Sequence, residues 1–271
     1  MEEFLNKFFY HKANDFIWLL RRGDAIANNI QRNNVHEKHL VDVFRKFIKL
    51  GDNVIDLGAN LGFHTLEMSR LVGNKGSVLS VEPLKEIYYQ LCGNLLLNDI
   101  KNVTALQKIC TDKVAKFLMN PIEWDNPGNT RVSKKQSINS NDAVDSFMLD
   151  DLIDLNYSFI KMDVQGSETN VLKGGQKFVE KNRPIFAVEI EEHHLLEFES
   201  SSKDLLNSFI NCDYVLYRIM NEYPCDHIAI PKEKDTVDFS FITSYPIIKI
   251  DYPVSMTTIS WPLYNEAIKA I

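Results

Sequence analysis

Along most of the chain, stretches in which apolar residues recur every three or four positions alternate with short runs that are apolar throughout. The first pattern marks an amphipathic helix and the second a strand buried on both faces, so their alternation predicts a mostly parallel sheet covered by helices. Leu40, Val41, Phe44, Phe47 and Ile48 place a helix over about residues 37–50, with Gly51 as its stop. NVIDLGA follows as a strand, residues 61–72 as a helix ending in the GNKG turn, and SVLSVEP as a second strand closed by Pro83. Leu84, Ile87, Tyr88, Leu91 and Leu95 share one helix face, and NVTALQKIC is a third strand. Past a polar stretch at 120–142, YSFIKMDV is a strand ending in an acid, SETNVLKGGQKFVEKN a helix and RPIFAVEIE a further strand. A helix near residues 203–210 precedes two short strands, YVLYRI and DHIAIP, and the pattern fades from Asp235 onward.

The expected organisation is an N-terminal helical or irregular extension (1–36), a main domain (37–232) with an insertion at 120–142, and an irregular C-terminal extension (233–271) packed on the same domain. MEEFLNKFFYHKANDFIWLLRRGD has room for an amphipathic helix, but Lys7, His11, Lys12 and Asp15 interrupt it too often for a signal peptide or membrane span. Composition changes little: 45% hydrophobic and 25% charged residues are ordinary for a globular chain. Charge does more, because a net −7 without a long Lys/Arg run argues against nucleic acid and for a small-molecule or glycan partner. Cys92, Cys110, Cys212 and Cys225 form no CxxC pair and read as buried free thiols in a reducing compartment, and with the N-terminus unlike a signal peptide or membrane span, cytoplasmic residence is the expectation. A homo-oligomer is left open.

The chemistry concentrates at NVIDLGANLGFHTL, where a strand turns sharply into a helix. Gly58 and Gly62 suit a turn in which backbone approaches a ligand and the helix packs tightly on the strand, while the helix start offers free N–H groups. Glu82 ends the second strand 24 positions after Gly58, near the roughly 20-residue offset at which an acid reaches ribose hydroxyls. Asn60 stands where a dinucleotide fingerprint has its second glycine, and Asp56 would repel a pyrophosphate. An acid there suits a cationic nucleoside, so S-adenosylmethionine, with its sulfonium and ammonium, is favoured over a nicotinamide.

In a doubly wound sheet the fourth strand lies on the other side of the first, so Asp163 at the end of FIKMDV is expected beside the Gly58 turn, with capping of the following helix, shared with Ser167 or Glu168, as the alternative. Lys161, two residues earlier on the same strand face, is either its ion-pair partner or surface. Glu189 and Glu191 share a face at the end of the next strand and could orient a hydroxyl, act as a base or hold a divalent cation, with the start of a solvated loop as the equal alternative for Glu191, Glu192 and His193. His194 is a candidate general base, with a surface histidine as the alternative. The 120–142 insertion, with Trp124 and Arg131, is a candidate lid or acceptor wall, or a mobile surface hairpin.

These residues resemble the FkbM-type S-adenosylmethionine-dependent methyltransferases. The likeness rests on GDNVIDLGANLGFHTL, VLSVEPL, FIKMDVQGSETNVLKGG and PIFAVEIEE in that order, with LDDL at Leu149–Leu152 and GDAIANNIQRNNVHEKHL upstream, and covers about Gly23 to His194. It implies a doubly wound, Rossmann-like class I methyltransferase: an α/β fold whose seven-stranded, mostly parallel sheet has helices on both faces and one antiparallel strand in its last pair. It further implies cofactor contacts at Asp56, Gly58, Asn60, Gly62, Glu82, Pro83 and Asp163. O-methylation of a sugar, glycan or other small hydroxylated metabolite follows, with Asp163, Glu189 and His194 as catalytic candidates. Gln165 stands where an acid is expected, which weakens a metal role there; whether a divalent metal takes part is left open. The rival readings are a nucleotide-dependent oxidoreductase, for which no Tyr-x-x-x-Lys pair is found, and a cofactor-binding module without catalysis.

Overall fold

The computed structural model describes residues 6–133, 143–221, 225–240, 242 and 245–250. Its centre is an eight-stranded sheet in the order β13 (Ile247–Lys249), β11 (Tyr214–Ile219), β12 (Asp226–Pro231), β10 (Ile185–Glu189), β9 (Phe159–Met162), β3 (Asn53–Leu57), β4 (Ser77–Val81), β5 (Val103–Leu106). The parallel core comprises β3, β4, β5, β9 and β10. β12 joins β10 antiparallel, and β11 pairs antiparallel with β12. The expected doubly wound order is thus present, with one strand more than seven: β13 adds to the edge against β11. The sequence pattern predicts irregular chain there. Three residues carry too little alternation to be read, and it is the open edge of β11 that recruits their backbone.

The sheet is buried on both faces, which explains the unbroken apolar runs. Ile55, Leu57, Ile160, Met162, Phe186 and Val188 face one layer, which holds Leu172, Phe178, Leu205 and Phe209 of α5 (Glu168–Lys173), α6 (Gln176–Asn182) and α8 (Ser202–Asn211). Val54, Val78, Phe159 and Ala187 face the other, with Leu40, Val43, Phe44 and Met68 of α2 (Lys38–Phe47) and α3 (Phe63–Val72). The expected single helix over SETNVLKGGQKFVEKN breaks into α5 and α6 at Gly174 and Gly175. A Cβ on Gly174 would stand 2.2 Å from the Thr111 carbonyl oxygen, so the close approach of another segment decides the break. NVTALQKIC likewise divides into β5 and β6 (Ile109–Cys110), the latter in a small sheet with β7 (Lys116–Phe117) and β8 (Val144–Phe147).

The N-terminal stretch is not the amphipathic helix anticipated. Phe8–Ala13 (β1) and Phe16–Arg21 (β2) form an antiparallel hairpin, followed by α1 (Ala25–Asn33). Asn14 and Asp15 both adopt positive φ, 52° and 67°, as a two-residue hairpin turn of this hand requires. Phe16, Trp18 and Leu20 alternate inward, and pack with Leu61, Leu66 and Leu91 of the main domain. The period here is two, and the apolar residues between blur it toward a helical count. Residues 134–142 of the insertion and 251–271 of the C-terminal extension lie outside the described residues.

Candidate functional site

The site grows from the carboxyl ends of β3, β4, β9 and β10. At the end of β3 the chain turns through Gly58 (φ 76°) and Asn60 (φ 50°) to Gly62 (φ 96°), the cap of α3. Gly58 is dictated by proximity: a Cβ there would fall 1.7 Å from the Asp163 carbonyl oxygen at the end of β9. Gly62 serves packing instead, since a Cβ would meet Leu91 Cδ1 at 2.6 Å, and it borders neither of the two cavities at the strand ends. Asn60 tolerates its left-handed backbone as asparagine does, its side-chain oxygen accepting from the Leu61 N–H at 2.7 Å.

Glu82, at the end of β4, is buried and receives the Asn60 N–H at 2.9 Å and the Leu84 N–H at 2.8 Å. Burial raises its carboxyl to about 7, against the pull of those two hydrogen bonds. Gly58, Asn60, Glu82 and Pro83 line a first cavity that runs on toward Cys110 and residues 127–132 of the insertion. A second, more open cavity of ≈ 440 Å³ adjoins it and is lined by Asn29, Glu37, Asn129, Glu189, Glu191 and His194, among others. The described part of the insertion therefore walls both cavities. Arg21 stacks on its Trp124, with the guanidinium carbon 3.8 Å from the ring centre, and donates to the Trp124 carbonyl at 2.7 Å.

Asp163 borders both cavities. It does not cap the following helix. Its oxygens accept from Lys161 Nζ at 3.1 Å and from Gln165 Nε2 at 2.8 Å. Lys161, left open between ion pair and surface, is 4% exposed; its ammonium also donates to the Gly58 carbonyl at 3.0 Å and stands 3.8 Å from Asp56 Oδ1. Burial works against ionising Asp163, but Lys161 beside it and hydrogen bonds from Glu189 and Gln165 hold its carboxyl below the usual range. Glu189 moves the other way, well above its usual value, through burial and the negative charge of Asp163. Between the two, negative charge is favoured on Asp163 and a proton on Glu189. Gln165 (φ 54°) bridges them, its Nε2 also donating to Glu189 Oε2 at 3.0 Å. An amide donor fits between two carboxyl groups where a third acid would repel them.

Like Gly62, Asp56 departs from its expected place against the cofactor, and the surface alternative for His194 is removed. Asp56 does not line either cavity: it is fully buried behind the turn, accepting from Thr65 Oγ1 at 2.6 Å and facing Lys161. Its position in the middle of the sheet, one residue before the strand ends, keeps it inside, so its charge acts on Lys161. His194 is not a surface residue. It is 5% exposed, its Nδ1 lies 3.1 Å from Glu191 Oε2, and burial followed by the charge of His193 pushes its imidazole down to about 4. Glu192 points elsewhere, accepting from the Ser202 N–H at 2.6 Å.

Sequence reasoning missed Glu37, His36 and His64, which line the second cavity. Glu37 Oε2 lies 3.4 Å from His64 Nε2 and 3.7 Å from His36 Nε2. Only the upstream block NNVHEKHL carried a signal, and nothing local in it shows that α2 delivers Glu37 to the strand ends. Glu168 acts as a brace, accepting the Val164 and Gly166 N–H groups at 3.1 and 3.2 Å and so shaping the turn that carries Gln165.

Residues 56–216, more than half of the chain, match the family model described as the methyltransferase FkbM domain. No match was found among curated proteins. Among solved structures, the chain is similar to an FkbM methyltransferase from Methylobacillus flagellatus KT at 18% identity and TM-score 0.46, covering 70% of this chain and 50% of that one. It thus spans about half the length of that relative. It is also similar to M. jannaschii TYW2, solved with AdoMet, at 16% identity and TM-score 0.46, covering 83% and 84% of the two chains. A SAM-dependent methyltransferase from Aquifex aeolicus aligns at 15% identity and TM-score 0.45, over 74% of this chain and 91% of that one. By the extent of the family match, the chain belongs to the FkbM-domain methyltransferases.

Proposed function

We propose that this protein transfers a methyl group from S-adenosylmethionine to a hydroxyl oxygen of a small polar acceptor, such as a sugar, a glycan residue or a similarly hydroxylated metabolite. The observation that carries the reading is the position of Asp163, the one described carboxylate bordering both cavities. The cofactor fits the first cavity on the chemistry of its lining: Glu82 borders it with carboxylate oxygens able to accept from ribose hydroxyls, beside the Gly58 backbone. Asn60 and Pro83 complete that wall.

When bound, S-adenosylmethionine supplies a methyl group on a sulfonium whose sulfur leaves as a thioether. The chain supplies alignment and a proton acceptor. Asp163, kept ionised by Lys161, accepts the acceptor's hydroxyl proton as the new carbon–oxygen bond forms. Protonated Glu189 and Gln165 hold the Asp163 carboxylate in one orientation. His194, neutral near pH 7, forms wall rather than cation. The second cavity suits a hydroxyl-rich acceptor, because Asn29, Asn126 and Asn129 present amides that donate and accept.

The test is Asp163→Asn, which keeps shape and removes the base. Turnover of a methylated acceptor should fall roughly 10²–10⁴-fold, the usual worth of general-base catalysis. Affinity for S-adenosylhomocysteine, read by calorimetry, should stay within about threefold, since asparagine keeps the shape of the side chain at the edge of that cavity. A variant that retains wild-type turnover removes Asp163 from the reaction.

A further inference from the structure

Three nitrogen and oxygen donors converge on the acceptor side of the second cavity. Glu191 Oε2 lies 3.1 Å from His194 Nδ1 and 3.2 Å from His193 Nε2, and the three donor atoms all fall within 4.8 Å of one another. Zinc bonds of about 2.0–2.2 Å to nitrogen and oxygen place neighbouring tetrahedral donors roughly 3.3–3.5 Å apart, close to the spacing seen. Two further features point to a ligand. His194 is 5% exposed, and its Nδ1 meets Glu191 Oε2 at 3.1 Å without the angles of a hydrogen bond. Glu191 occupies the cap of α7 (Glu192–Glu197) without a side-chain capping bond, and its carboxylate lies beside both imidazoles.

We propose that Glu191, His193 and His194 bind a divalent first-row cation of the zinc class, with its remaining position open to an acceptor oxygen in the second cavity. All three residues line that cavity. Glu191 also groups with Glu189 and Cys225, whose donor atoms again lie within 4.8 Å of one another, so further oxygen and sulfur donors flank the site. Imidazole nitrogens with a nearby thiol select zinc, cobalt or nickel over magnesium, which prefers oxygen donors and keeps its waters. An oxygen taken up there would be anchored within the cavity that Asp163 borders. The role in acceptor binding rests on the proposed methyl transfer, whereas cation binding itself does not.

The experiment is a titration of the chelator-stripped full chain with Zn²⁺ by calorimetry, with Co²⁺ as an absorption probe and Mg²⁺ for comparison. One Zn²⁺ per chain should bind, with visible cobalt bands and no comparable Mg²⁺ uptake. His193→Ala, at a 41% exposed side chain, and Glu191→Gln should each weaken Zn²⁺ at least tenfold and bleach the cobalt bands, while S-adenosylhomocysteine affinity stays within about threefold. Absence of Zn²⁺ binding by the unmutated chain, or equal Zn²⁺ affinity in both variants, overturns the site. Failure of the unmutated chain to bind S-adenosylhomocysteine would instead sink the methyl-transfer reading, and the metal titration would still be interpretable.

Discussion

Single residues here owe their chemistry to where a strand stops. Asp56 and Asp163 are both acids at strand ends, Asp56 in register with Lys161 two residues before Asp163, yet one is sealed behind the turn and the other opens onto both cavities. Glu82 shows what burial does to such an acid. Its folded carboxyl, about 7, stands above its ordinary 4.5, so the fold favours the protonated form. The stability this contributes is complete below about pH 4.5 and is lost as pH rises through about 7. Each pH unit between those two values is worth roughly 1.4 kcal/mol, so the ligand-free protein should lose on the order of 3 kcal/mol across that window from this group. Urea melts of wild type and Glu82→Gln from about pH 5 to about pH 7.5 check it: the variant should show a flatter fall. It should also bind S-adenosylhomocysteine roughly tenfold more weakly, through the lost charge-assisted bonds to ribose.

Elements meet at contacts that tolerate no extra atom. The end of β3 passes so near the end of β9 that Gly58→Ala must separate the two strands on which Asp163 depends. Gly23 (φ 85°) offers a control, since a Cβ there meets nothing within 4 Å and only the backbone cost of about 1–2 kcal/mol applies. Gly58→Ala adds overpacking of about 1–3 kcal/mol, so denaturant midpoints should rank wild type, Gly23→Ala, Gly58→Ala in falling order. The N-terminal hairpin makes a related point. Its inward residues were visible as apolar, but whether they count by two or by nearly four depended on the Asn14–Asp15 turn, whose positive φ values are clear only once the strands pair.

At the scale of the molecule, two cavities share a wall and one carboxylate joins them. Binding to the folded state stabilises it, so S-adenosylmethionine or its demethylated product at about 100 times Kd should add roughly 2.7 kcal/mol, or about 5–10 °C in Tm. A thermal-shift comparison with NAD decides between the nucleoside classes: a shift with NAD alone would contradict the proposed cofactor. No helix among the described residues is long and apolar enough to cross a membrane. Much of this architecture was legible in the chain itself. Strand-helix alternation, the Gly58 turn, Glu82 and Asp163 are local signals, because a strand end, its turn and the next helix are adjacent in sequence. The sequence alone therefore determined the doubly wound order, and with it the neighbourhood of Gly58 and Asp163. Tertiary structure decided the rest: that Lys161 is buried between Asp56 and Asp163, that α2 brings Glu37 to the cavity, that β13 takes the open edge, and that His194 is sealed against Glu191. Each is set by elements far apart along the chain, and hydrophobic periodicity reports only which face of an element is buried, not which partner covers it.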